Sequence, residues 1–297
     1  MTHRTRVLLN DLYFGEGPRW HQGRLWFSDF YARHIASMSP NGDMRVELEW
    51  DERTSGLGWM PDGSLLFVSM ERRALFRRWP DGRVSQHADL SGVAKHLSND
   101  MVVDADGRAY VGDFGFDLHG ELRARGDMAV LADHPTTNLA LVQPDGSVEV
   151  AAEGLHFPNG MVITPDGRTL IVGETLAAQL TAFTIGDGGR LSDRRLWAMT
   201  MSDPAQPRVP DGICLDAEGA VWIASATAPE CIRIAEGGEV LDVVTASQNV
   251  FACMLGGEDG RTLFIMTAPT SDNEEARRER RGKIEVADVA VPRAGRP

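Results

Sequence analysis

Hydrophobic positions fall in short runs that pair up across glycine-containing polar turns, and the same frame returns along the whole chain. Ser55–Met70 reads SGLGWMPDGSLLFVSM, Asn99–Phe114 NDMVVDADGRAYVGDF and Asn159–Glu174 NGMVITPDGRTLIVGE. Asp211–Ala226 (DGICLDAEGAVWIASA), Ala252–Thr267 (ACMLGGEDGRTLFIMT) and a shorter first copy, Glu16–Phe30 (EGPRWHQGRLWFSDF), repeat it. In each copy an apolar run meets a turn ending in glycine. A second run rich in Val, Ile, Leu and aromatics follows, which predicts a β-hairpin.

The turn glycines Gly23, Gly63, Gly107, Gly167, Gly219 and Gly260 are spaced by 40, 44, 60, 52 and 41 residues. Further strand-like pieces with their own turns lie between them, such as Leu75–Trp79 before Pro80-Asp81-Gly82 and Asn138–Val142 before Pro144-Asp145-Gly146. Two hairpins per repeat make a four-stranded blade, and six repeats predict an all-β, six-bladed propeller spanning 1–297 as one domain. A β-sandwich with chance turn spacing would not reproduce one frame so often. Closing the ring needs its ends to meet, so Arg6–Leu9 is expected to pair with Ile284–Val291 in the last blade. The mixed-charge run Asp272–Lys283 is expected to be a solvated loop.

Composition narrows the function. With 30 Lys and Arg against 43 Asp and Glu, the formal charge is −13, a poor match for a phosphate backbone, so no nucleic-acid partner is expected. No apolar stretch approaches the ~20 residues that cross a bilayer, and the N-terminal segment lacks a secretory pattern. Cys214, Cys231 and Cys253 form no CxxC pair and are expected to be reduced, buried thiols in the cytoplasm.

In a propeller the first strand of each blade lines the central channel, so its leading residue stands at one mouth. Those positions are Glu16, Ser55, Asn99, Asn159, Asp211 and Ala252. Two carboxylates and two carboxamides without His or Cys form a hard oxygen set suited to Ca²⁺, Mg²⁺ or Mn²⁺. Asn159-Gly160 and Asp211-Gly212 are equally good turn formers opening a strand. The common register across blades favours the metal. Asp104-Ala105-Asp106-Gly107 has an EF-hand flavour but falls between strands and is read as a turn.

Glu16-Gly17-Pro18, Asn99-Asp100, Asn159-Gly160 and Pro210-Asp211-Gly212, each heading a blade, resemble the senescence marker protein/regucalcin/gluconolactonase family of metal-dependent six-bladed propellers. The resemblance runs over essentially the whole chain. It implies that Glu16, Asn159 and Asp211 hold one divalent metal, Ca²⁺ foremost or Zn²⁺, and that Asn99 contacts metal or substrate. It also implies a lactonase, with the diisopropyl fluorophosphatase group as architectural kin. Sugar-lactone members commonly carry arginine two residues before the first asparagine. Here that position is Leu97, so a simple sugar lactone is not the expected substrate.

The expected chemistry is hydrolysis of a cyclic ester, with Asp211 and Asp100 as candidates for proton transfer. Asp113 and Glu174 end second strands and are expected to return to the metal face. His96 and His156 precede ligand asparagines by three residues, and Met101 and Phe157 suggest a less polar pocket. Asn99, Asp113, Glu174, His156, His96 and Met101 are thus the candidate substrate contacts. Extra chain at 115–137 is expected to form a lid bearing Phe116, His119 and His134. The alternatives are a phosphotriesterase or other ester hydrolase on the same metal, and a non-catalytic metal-binding propeller. A small-molecule lactone or ester is the expected partner of a monomer or small homo-oligomer.

Overall fold

A computed structural model describes residues 3–201 and 208–297, and it forms a six-bladed β-propeller. The inner strands are Gly15–His21, Thr54–Trp59, Ser98–Val103, Pro158–Ile163, Pro210–Leu215 and Val250–Gly256. Each opens an antiparallel sheet, and each inner strand packs on the next around the ring, with Val250–Gly256 returning to Gly15–His21. The blades are numbered one to six in that order.

Each predicted hairpin is present, and its second strand is as buried as its first. In blade three, Ser98–Val103 and Ala109–Asp113 are wholly buried, whereas the outermost strand Val148–Leu155 is half exposed. That gradient explains why continuous apolar runs mark the inner hairpin and alternation marks the rim. The core lies between the faces of neighbouring blades. Val102, Tyr110 and Leu141 of blade three pack with Met161, Val172 and Phe183 of blade four. Burying each such aliphatic or aromatic side chain contributes on the order of 1.5–3 kcal/mol. Tyr110 keeps its hydroxyl satisfied by donating to the Gly189 carbonyl at 2.6 Å.

Closure uses the N-terminus twice. Arg6–Leu12 pairs antiparallel with Gly282–Asp288 as the outer strand of blade six, with Arg6 opposite Val286. His3–Arg4 adds a parallel fifth strand to blade five. The predicted partner run thus ends earlier than Val291, because the chain beyond Asp288 leaves the sheet. It crosses the end of the channel remote from the leading residues. Ala294 donates to the Leu215 carbonyl at 3.0 Å, and Ile163 and Arg296 exchange backbone bonds of 2.8 and 2.9 Å.

Two segments expected as plain chain contain helix. Residues 115–137 hold Leu118–Arg125, capped by Asp117 accepting from the Gly120 amide at 3.0 Å, and Asp127–Ala132. Asp272–Lys283 is not loop throughout. Asp272 caps Asn273–Ala276 by accepting from the Glu274 and Glu275 amides at 2.9 and 3.1 Å, and the acidic first turn suits the helix dipole.

Candidate metal centre

At the leading end of every inner strand the ladder to the second strand breaks. Registers shift between Glu16 and Arg19, Thr54 and Leu57, Ser98 and Met101, Pro158 and Met161, and Pro210 and Ile213. The skipped residues include Ser55, Asn99, Asn159 and Asp211. A bulge bends its strand and re-aims the side chains it frees. Here it turns them to the axis instead of leaving them on a blade face.

The glycines that follow serve close approach. A Cβ on Gly160 would stand 2.5 Å from the Ile213 nitrogen and 2.6 Å from the Asp211 oxygen, both backbone of the next blade. One on Gly212 would meet the Ala252 Cβ at 2.7 Å. Blade three breaks the pattern: Asp100 occupies the corresponding place and carries a buried carboxylate into the channel.

Glu16, Asn99, Asn159 and Asp211 line one cavity of about 400 Å³. A chain of hydrogen bonds fixes the two amides. Ser55 Oγ donates to Asn99 Oδ1 at 3.0 Å, and Asn99 Nδ2 reaches Asn159 Oδ1 at 3.5 Å. Asn159 Nδ2 donates to Thr175 Oγ1 at 3.2 Å, whose hydroxyl donates to the Pro210 carbonyl at 2.8 Å. Glu16 Oε2 accepts from the Gly17 amide at 3.0 Å.

The electrostatics are unbalanced. Burial pushes the Glu16 carboxyl well above the usual carboxylate range, with Asp211 and Asp100 adding to the effect. Burial and then Asp100 do the same to Asp211. Asp100 is also raised by burial, and its Oδ1 has no hydrogen-bond partner. Arg19 is buried in the channel and donates to the carbonyls of Leu57 (3.0 Å), Pro18 (2.7 Å) and Met101 (2.5 Å). Were Glu16, Asp211 and Asp100 all ionised, Arg19 would leave two negative charges uncompensated, the amount a divalent cation neutralises. The hard oxygen donors of Glu16, Asn99, Asn159 and Asp211 therefore fit a single divalent ion. No group of three or more His, Cys, Asp or Glu placed to hold a metal ion occurs among the described residues, so the fit depends on the two carboxamides.

The other candidates are placed differently. Asp100, Asp113, Glu174, His96, His156 and Met101 do not line the cavity. Asp113 and Glu174 do end second strands, but their carboxylates turn to the loop that enters their own blade. Asp113 accepts from Thr137 Oγ1 at 2.9 Å and the Gly115 amide at 2.5 Å. Glu174 accepts from the His156 amide at 2.8 Å, from Thr181, and from Arg194 at 3.2 Å. Asp29 holds the Tyr13 and Phe14 amides in blade one in the same way, and Glu285 holds Ser247 in blade six. These acids pin loops. His156 bonds His134 at 2.9 Å, and Met101 is packed in the core. His96 has an unpartnered, buried Nδ1.

Sequence reasoning missed most of the cavity wall. Phe14, Phe30, Phe114, Phe157 and Phe251 converge there with Arg53. Phe157 alone was signalled, by its closeness to Asn159; the others are scattered over separate repeats. From residues 115–137, Leu118, His119, Leu122, Asp127 and Leu131 reach the cavity, whereas Phe116 stacks near His134.

A closed six-bladed propeller with an all-oxygen set of side chains at one channel mouth defines the class of protein. Within that class the chain belongs to the SMP-30/Gluconolactonase/LRE-like family, whose model matches residues 14–269. A pentonolactonase, XacC of Haloferax volcanii, is 26% identical over 306 residues, covering 99% of this chain and 96% of its own. A gluconolactonase structure from Xanthomonas campestris aligns with a TM-score of 0.75 at 26% identity, over 98% of this chain and 90% of that one. The structure of a calcium-binding regucalcin from Agrobacterium tumefaciens aligns with a TM-score of 0.81 at 20% identity, covering 100% and 97%.

Proposed function

We propose that the protein is a metal-dependent hydrolase that opens a lactone ring, acting on a substrate other than a simple sugar lactone. The observation that carries this reading is the convergence of Glu16, Asn99, Asn159 and Asp211 on one cavity, with the two carboxyls buried side by side. Likeness to a pentonolactonase and to a gluconolactonase supports the reaction class. Leu97, where sugar-lactone members carry arginine, and the aromatic wall support the departure in substrate.

Glu16, Asn99, Asn159 and Asp211 would hold the ion, with Ca²⁺ favoured over Zn²⁺ because all four offer oxygen. When bound, such an ion polarises an ester carbonyl and lowers the pKa of water. The remaining work falls to the chain. The phenylalanine wall holds the lactone body and excludes bulk water, and we assign residues 115–137 the role of lid. Asp211 reaches the cavity and is the proton acceptor in this reading. Water adds through oxygen to the carbonyl carbon and gives up a proton to that carboxylate. The ring C–O bond then breaks, and the departing oxygen takes the proton, leaving a hydroxy acid. Asp100, beneath the cavity against Arg19, acts on this centre through charge and is a positioning residue.

No described helix is long and apolar enough to cross a membrane. The three cysteines are free and buried, which supports the reading of a reducing, cytoplasmic setting. The test is elemental analysis of the purified protein with a pH-indicator screen of aliphatic, aromatic and sugar lactones. Turnover of an apolar lactone that a chelator abolishes is expected. A metal-free protein inactive on every lactone would overturn the reading.

A further inference from the structure

Arg53 is the single Lys or Arg among the described residues that line the cavity. It immediately precedes the inner strand Thr54–Trp59 and stands two residues before Ser55, which orients Asn99. At ~3.3 Å per extended residue, its backbone is about 6–7 Å from that of Ser55, within an arginine side chain's reach of a ligand seated on the oxygen set. The side chain is held by Glu71 and Tyr31. Glu71 accepts from Nε at 2.5 Å and from the Arg53 amide at 3.2 Å. Tyr31 lies alongside, its ring centroid 6.0 Å from the guanidinium carbon. Apart from the neighbouring Tyr31 hydroxyl, the terminal nitrogens have no hydrogen-bond acceptor among the described residues. The side chain is only 16% exposed.

A guanidinium fixed through Nε presents its two terminal nitrogens as a planar fork, the geometry that matches a carboxylate. In a cavity walled by five phenylalanines such a charge has few uses for packing, and the flat aromatic wall suits a flat apolar body. We propose that Arg53 determines specificity by binding a carboxylate carried on an aryl or similarly flat lactone, remote from the ester that the oxygen set receives. The proposal rests on the lactonase reading for its substrate class. Nevertheless, Arg53 binding a carboxylate is a separate matter from turnover, and the test keeps the two apart.

Non-hydrolysable cyclic ethers serve as probes: 4-(tetrahydrofuran-2-yl)benzoate and the matching benzamide, titrated calorimetrically into the calcium-supplemented protein. The benzoate is expected to bind at least about tenfold more tightly than the benzamide, the scale of a charge-assisted pair in a sheltered site. Arg53→Met should bring that ratio to about one. Arg53→Lys, which keeps the charge without the fork, should fall between and guards against a folding defect in the first variant. A ratio near one in the unaltered protein, or a ratio that survives Arg53→Met, overturns the proposal. Turnover of the corresponding aryl lactones is assayed in parallel. A retained binding ratio without turnover would sink the lactonase reading while leaving the Arg53 assignment standing.

Discussion

Replacing Gly160 with alanine adds one methyl group where two inner strands touch. Its backbone conformation suits alanine, so the effect comes from space alone. The new carbon would lie 2.5 Å from the Ile213 nitrogen, 2.6 Å from the Asp211 oxygen and 2.9 Å from the Gly212 carbonyl carbon. None of these atoms belongs to a flexible side chain, so blades four and five must move apart. Overpacking of this kind costs roughly 1–3 kcal/mol. At about 2–4 °C per kcal/mol, the thermal midpoint should fall by roughly 2–12 °C. The strain also falls on the strands bearing Asn159 and Asp211, so calcium should raise the midpoint less than in the parent. Gly92→Ala is the control, because nothing lies within 4 Å of its added carbon. It should be neutral or stabilising by about 0.4–1 kcal/mol. Thermal unfolding with and without calcium gives both readouts. If Gly160→Ala melts with Gly92→Ala and responds equally to calcium, the close approach of these strands does not set the geometry of the centre.

In chelator, burial raises the Glu16 and Asp211 carboxyls, so the folded protein binds more protons than the unfolded chain. Their contribution to stability is then fully present below the ordinary carboxylate range and is lost as pH rises through the raised folded values. Asp211→Asn should flatten that decline, so that in chelator the variant is more stable than the parent at pH 8; a parallel pH–melting curve for the two proteins would count against it. Glu174→Ala removes a fully buried acceptor from the His156 amide, Thr181 and Gln179, and should cost about 3–5 kcal/mol by denaturant titration. Because Glu174 pins a loop and lines no cavity, the folded fraction should keep its calcium affinity.

The fold was largely legible in the sequence because turns ending in glycine and continuous apolar inner strands recur in one frame. Gly63 and Gly107, for example, take the left-handed backbone such turns require. That Glu16, Asn99, Asn159 and Asp211 meet at one cavity was legible for the same reason, since they occupy equivalent positions in their blades. What sets their direction was not: the bulges at those positions leave no residue-type signature. The glycines beside them look like turn formers but are required by the backbone of the next blade. Asp113 and Glu174 do end second strands, as expected from the hairpin frame, yet Thr137 and the loop amides that claim those acids come from elsewhere in the chain. Arg53 and four of the five cavity phenylalanines are single residues in separate repeats, and only the closed ring brings them together.

Isothermal titration of chelator-treated protein with calcium, repeated in buffers of different ionisation enthalpy, bears most directly on the centre. One ion per chain should bind with release of protons, because the ion takes up carboxyl groups that burial had held partly protonated. Glu16→Gln and Asp211→Asn should each weaken binding by at least about a hundredfold, on the order of 2.7 kcal/mol. Absence of calcium uptake, or affinity unchanged in both variants, would contradict a cation held by these four blades.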